Sequence, residues 1–203
     1  AVGCPVVLKP SLSTPLSALV FKELLDACEI KEGWFQVLIC EDEVTAKIAS
    51  SKKISFMSFI GSQKVGWKLK SSLYPGVTCN LEHGGTAPAL IDKTADLEKS
   101  ALDLARSSFY HAGQVCVSTQ NIFLHKNIKD DFKKLFVEAV KSFKVGNPDL
   151  ITTDIGPIIK KPAFDRILTW IEEATNDGAR LILGGKALSE TTIEATLLEN
   201  TSL

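Results

Sequence analysis

The stretch KISFMSFIGSQKVGWKLKSS, residues 53–72, decides the fold. Its first half alternates toward Ile60 and reads as a strand. Gly61-Ser62 breaks the run, and Gln63 to about Ser72 reads as a helix. Glycine lets a ligand approach the backbone closely. The helix start offers free N–H groups and a positive dipole end, which suit a phosphate. The spacing Gly61-Ser62-x-x-x-Gly66 is not the G-x-G-x-x-G fingerprint, and alone it is equally a plain strand-to-helix turn.

The same alternation extends outward on both sides. Val6-Val7-Leu8 reads as a buried strand. A helix from about Thr14 to Cys28 follows, capped by Ser13 or Thr14, with Pro15 in its first turn and an apolar stripe of Leu16, Leu19, Val20, Leu24 and Ala27. Phe35–Ile39 is a strand, Glu43–Ser50 a helix and Val77–Glu82 a strand. Strand and helix in alternation imply a parallel sheet with right-handed crossovers. After a break at His83-Gly84-Gly85-Thr86-Ala87-Pro88, strands are expected at Ala89–Ile91, Asn121–His125 and Ala179–Leu183. Helices are expected at Asp96–Ala112, Ile128–Phe143 and Pro162–Asn176, the second presenting Phe132, Leu135, Phe136, Ala139 and Val140 on one face. The tail from Ala187 is polar and weakly patterned. Two α/β segments result, 1–85 and 86–203, and neither reads as complete.

Composition sets outer bounds. The chain has 203 residues, is 45% hydrophobic and 23% charged, and carries a net charge of −1. That is ordinary globular composition, without the basic footprint of a nucleic-acid binder. No stretch approaches the roughly 20 apolar residues of a membrane span, and Ala1–Lys9 lacks the features of a signal peptide. No membrane or nucleic-acid partner is expected, and reduced thiols in the cytoplasm are the default.

Five cysteines stand at 4, 28, 40, 79 and 116, with no metal-ligand spacing among them or with His83, His111 and His125. No metal is expected. Cys116, in Gly113-Gln114-Val115-Cys116 just past a helix end, sits where rigid scaffolds present catalytic groups. The other four read as inert packing. Glu82 ends a strand before a glycine pair, where a carboxylate serves as a general base or merely as a surface group. Lys9 ends the first strand, where it reaches a ribose or phosphate or is simply solvated. None of the histidines is given a catalytic role.

Together and in order, these strings resemble the aldehyde dehydrogenase superfamily. They are Pro5-Val6-Val7-Leu8-Lys9-Pro10-Ser11, Phe59-Ile60-Gly61-Ser62 with Gly66, Leu81-Glu82-His83-Gly84-Gly85, and Gly113-Gln114-Val115-Cys116. Val145-Gly146-Asn147-Pro148 with Asp154-Ile155-Gly156-Pro157, and Thr196-Leu197-Leu198, extend the match, and the 34 residues from Glu82 to Cys116 agree with it. The resemblance implies an α/β, aldehyde dehydrogenase-like fold: part of a Rossmann-type cofactor domain at 1–85 and part of an α/β catalytic domain at 86–203.

It also implies roles. Lys9 would bind the adenosine ribose of NAD or NADP, and Gly61, Ser62 and Gly66 the pyrophosphate, with Ser11 and Gly84 in the same cofactor set. Cys116 would attack an aldehyde to give a thiohemiacetal, its own N–H helping at the oxyanion. The resulting thioester would be hydrolysed by water that Glu82 activates. A homo-oligomer is implied for the full-length parent. Three departures stand out: Leu12 where the family carries an acid, which opens the choice between NAD and NADP, His83 for a leucine beside the base, and His111 for an asparagine. The family's W-N-F-P segment is expected before Ala1 and its E-x-F-G-P segment after Leu203. The isolated chain is therefore expected to turn over poorly and to be poorly soluble. The alternative is a non-catalytic member or inactive fragment. A cysteine hydrolase ranks last, because it leaves Lys9 and the Gly61-Ser62 turn without work.

Overall fold

A computed structural model describes residues 3–202. The chain divides into two compact units, Ala1–His83 and Gly84–Leu203.

The first unit runs β1 (Val6–Leu8), α1 (Leu16–Ala27), β2 (Phe35–Val37), α2 (Asp42–Ala49), β3 (Phe56–Gly61), α3 (Gln63–Ser71) and β4 (Thr78–His83). Strand pairing is parallel, as alternation predicts, but it forms two ladders rather than one sheet: β1 with β2, and β3 with β4. Gly61 stands opposite His83 and Ile60 opposite Glu82, so β3 and β4 end together.

Three expectations fail here. Val6 and Val7 are 46% and 49% exposed rather than buried, because their short ladder has little laid over it within the unit. The apolar stripe of α1 also faces outward, Leu16 being 72% and Leu24 60% exposed. The helix buries the Ala18 side instead, and Phe21 meets the Phe35 ring edge-on at 5.4 Å. With apolar residues on two faces, α1 covers the ladder with only one. Finally, α1 begins at Pro15 without a side-chain cap, since the Ser11 hydroxyl accepts from the Ser13 N–H and the Thr14 N–H bonds the Ser11 carbonyl.

The second unit runs β5 (Ala89–Ile91), α4 (Leu97–Phe109), a 3-10 turn at Tyr110–Gly113, β6 (Ile122–Leu124), α5 (Lys129–Lys141), α6 (Lys161–Asn176), β7 (Arg180–Leu183) and β8 (Leu197–Glu199). β5 and β6 are parallel. β8, which the tail's weak pattern concealed, lies antiparallel to β7. Asp96 caps α4 by accepting from the Lys99 N–H at 3.1 Å. Ala101 and Ala105 on α4 are small enough to let α5 come close, and Phe132, Phe136 and Val140 of α5 fill the space. The two phenyl rings stack at 5.6 Å. Among the described residues no helix is long and apolar enough to cross a membrane.

Candidate functional site

Each unit carries part of the candidate set. In the first, the carboxyl ends of β3 and β4 gather Gly61, Ser62, Gly66, Glu82 and His83. In open parallel sheets ligands bind beyond these ends. Ser62 caps α3, its hydroxyl accepting from the Val65 N–H at 3.4 Å. The glycines have a packing reason: a Cβ on Gly61 would meet the Phe59 ring at 2.6 Å, and one on Gly66 the His83 Nε2 at 2.4 Å. That close fit brings the start of α3 tightly against the strand ends.

Glu82 is exposed, one position inside the end of β4, and its Oε1 accepts from the Asn80 amide at 3.5 Å. His83 points to the opposite face, as strand alternation requires. It packs edge-on against Trp67 at 5.9 Å, and its Nε2 is buried without a hydrogen-bond partner among the described residues. The imidazole therefore packs and does not assist the carboxylate.

Lys9 follows β1 on the other ladder, with Ser11 exposed just beyond. The Lys9 ammonium reaches Asp42 Oδ1 in the first turn of α2 at 3.5 Å, a partner that motif reading passed over.

In the second unit, Cys116 is exposed on a turn whose flanks are held on both sides. Before it, His111, Ala112 and Gly113 take left-handed backbone, with φ of 49°, 55° and 72°. For His111 and Ala112 this costs about 1–3 kcal/mol each. Gln114 then clamps the segment: its amide nitrogen donates to the His111 and Pro157 carbonyls at 3.1 and 3.2 Å, and its amide oxygen accepts from the Ile159 N–H at 2.9 Å. After it, Ser118 is 1% exposed. The Ser118 N–H donates to the Val115 carbonyl at 3.0 Å, while its hydroxyl accepts from the Val115 N–H at 3.3 Å. Among the described residues the N–H groups of Cys116 and Val117 find no acceptor.

Gln120 ties the stretch beside the glycine pair to this loop, its N–H donating to the Thr86 carbonyl at 3.0 Å and its amide to Gly85 at 3.1 Å. Gly84 has open space around it, so no neighbour demands a glycine there. Exposure alone does not single out Cys116. Cys4 and Cys28 are exposed too, and Cys40 and Cys79 only half-buried, so the expectation of four packed thiols fails. The short ladders leave these cysteines uncovered. What distinguishes Cys116 is the pinned turn, which Gln114 and Ser118 build. A serine within the polar run Ser118-Thr119-Gln120-Asn121 gives no sequence signal of burial. No cluster of three metal-ligating side chains occurs among the described residues.

A model of the aldehyde dehydrogenase family matches residues 1–202. The chain belongs to the aldehyde dehydrogenase family. It is 37% identical over 188 residues to a 3-sulfolactaldehyde dehydrogenase of Priestia aryabhattai, covering 92% of this chain and 39% of that relative. It is similar in structure to a glyceraldehyde-3-phosphate dehydrogenase of Methanocaldococcus jannaschii solved with NADP, with a TM-score of 0.88, 32% identity, and 95% and 43% of the two chains covered. A betaine aldehyde dehydrogenase of Staphylococcus aureus solved with NAD+ aligns with a TM-score of 0.91 at 28% identity, covering 98% of this chain and 41% of that one. The chain thus spans about two fifths of the length of the relatives it matches.

The first unit fits a nicotinamide dinucleotide. A capped helix start pressed onto the ends of two parallel strands suits a pyrophosphate, and a half-exposed lysine at the end of β1 suits a ribose.

Proposed function

We propose that this chain is the central part of a nicotinamide-dependent enzyme that oxidises an aldehyde to a carboxylic acid. The first unit would be the later half of the cofactor domain and the second the earlier half of the catalytic domain. Lys9, Ser11, Gly61, Ser62, Gly66 and Gly84 would contribute to holding NAD or NADP. When bound, the dinucleotide supplies the hydride acceptor that turns a thiohemiacetal into a thioester.

The chain's own residues do the rest. The Cys116 thiolate adds to the aldehyde carbon, forming a C–S bond and an oxyanion. The unpaired Cys116 N–H is a donor available to that oxygen. At the thioester stage the Glu82 carboxylate takes a proton from water, whose oxygen attacks the carbonyl carbon. The C–S bond then breaks, and the thiolate and a carboxylic acid are released. The exposure of Glu82 leaves it open to water. Family membership also supports a homo-oligomeric, cytoplasmic parent enzyme.

The observation that carries the reading is the exposed thiol on a turn held by Gln114 and Ser118. In the complete polypeptide carrying this chain, Cys116→Ser is expected to abolish aldehyde-dependent formation of NADH or NADPH. Undiminished turnover would overturn the nucleophile. Glu82→Gln is expected to keep a first burst of reduced cofactor and lose the steady rate.

A further inference from the structure

The ends of β1 and β2 carry a second carboxylate with nothing yet to do. Lys9 follows β1, and Asp42 opens α2 just after β2, its parallel neighbour. They stand 3.5 Å apart, with the Lys9 side chain 23% and that of Asp42 95% exposed. This is a loose pair. At that distance neither group is consumed, and Asp42 keeps its second oxygen and most of its lone pairs open to solvent. The ammonium retains donors of its own. No carboxylate follows Lys9 in Pro10-Ser11-Leu12-Ser13, where Leu12 is 43% exposed.

We propose that Asp42 makes this site select NAD over NADP. The inference rests on the reading of Lys9 as a ribose ligand and deepens it. A ribose cis-diol presents two adjacent hydroxyls, each able to donate and accept. An ammonium and a carboxylate side by side complement it: Lys9 donates to one oxygen and Asp42 accepts from the other. A 2′-phosphate removes one of the two donating hydroxyls and brings a charge of about −1.5 to −2. It would meet Asp42 flanked by Glu41 and Glu43, all three exposed. Like charges at that range cost affinity even in high dielectric. Lys47, the basic residue of α2, lies at its far end, in the last turn.

The test is calorimetric titration of the complete polypeptide with NAD and with NADP, without aldehyde. The unaltered protein is expected to bind NAD more tightly by about tenfold or more. Asp42→Asn and Asp42→Ser are expected to shrink that ratio severalfold, chiefly by tightening NADP, while Asp42→Glu restores it. Because the Asp42 side chain is 95% exposed, its melting temperature serves as a control that should not move. A protein that binds NADP as tightly as NAD, or an Asp42→Asn variant with an unchanged ratio, overturns the proposal. Lys9→Ala separates the underlying reading. If it leaves both affinities unaltered, Lys9 is no ribose ligand and both inferences fall. If it weakens both dinucleotides while Asp42→Asn changes nothing, only the role of Asp42 falls.

Discussion

The two units bury their apolar residues in different ways. In the second, Phe132, Phe136, Val140, Ile155, Ile158 and Phe164 are all less than 9% exposed. In the first, the buried hydrophobic residues among those described are two alanines, Ala18 and Ala49, while Leu16, Val20, Leu24 and Ile60 lie open. Both sequences are patterned for burial, yet the second encloses far more of its pattern, though Leu90 and Trp170 lie open there. The lesson concerns where chemistry is placed. Cys116 stands on a turn anchored beside a packed helix pair, whereas Lys9 and Asp42 stand at the end of one short ladder and Gly61 and Glu82 at the end of another.

The largest effect that would sharpen this contrast is in the core. Phe132→Ala is expected to cost about 3–5 kcal/mol of unfolding free energy. Leu24→Ala in the first unit, at 60% exposure, should cost less than about 1 kcal/mol. Denaturant midpoints of the two variants measure the difference, and similar shifts would break the comparison. Next comes the pinned turn. Ser118→Ala leaves the Val115 N–H without its hydroxyl acceptor and should cost about 1–3 kcal/mol. Amide exchange at Val115 should quicken in that variant, while exchange in β3 stays as it was.

The smallest effect is electrostatic. Partial burial pulls the Glu199 carboxyl upward, but hydrogen bonds and charge from Lys133 and Arg180 outweigh it and hold it below its ordinary value of 4.5. A depressed carboxyl contributes stability above the unfolded value and loses it as pH falls through the folded one. The β7–β8 end of the second unit is therefore expected to weaken as pH drops below about 4.5, and Glu199→Gln should flatten that dependence in acid titrations of stability.

Much of the fold was legible because periodicity is a local property. The face of α5 from Phe132 to Val140, the cap at Asp96 and the turn at Gly61-Ser62 all follow from neighbouring residues. The failures share a cause. The cover over Val6, the outward stripe of α1 and the pairing of Leu197–Glu199 depend on what lies across space. So do the tasks of Gln114, Ser118 and Asp42, whose partners are fixed by loop geometry. Ordered motifs named Cys116 and Glu82. They did not reveal the hydrogen bonds that hold the cysteine's turn.

The contact between Gly66 and His83 couples what each position can hold. The imidazole fills the room that any side chain at position 66 would need, with the Phe59 ring 3.1 Å from the same point. A side chain at 66 therefore needs both rings to give way, so shrinking the ring at 83 alone does not free the position.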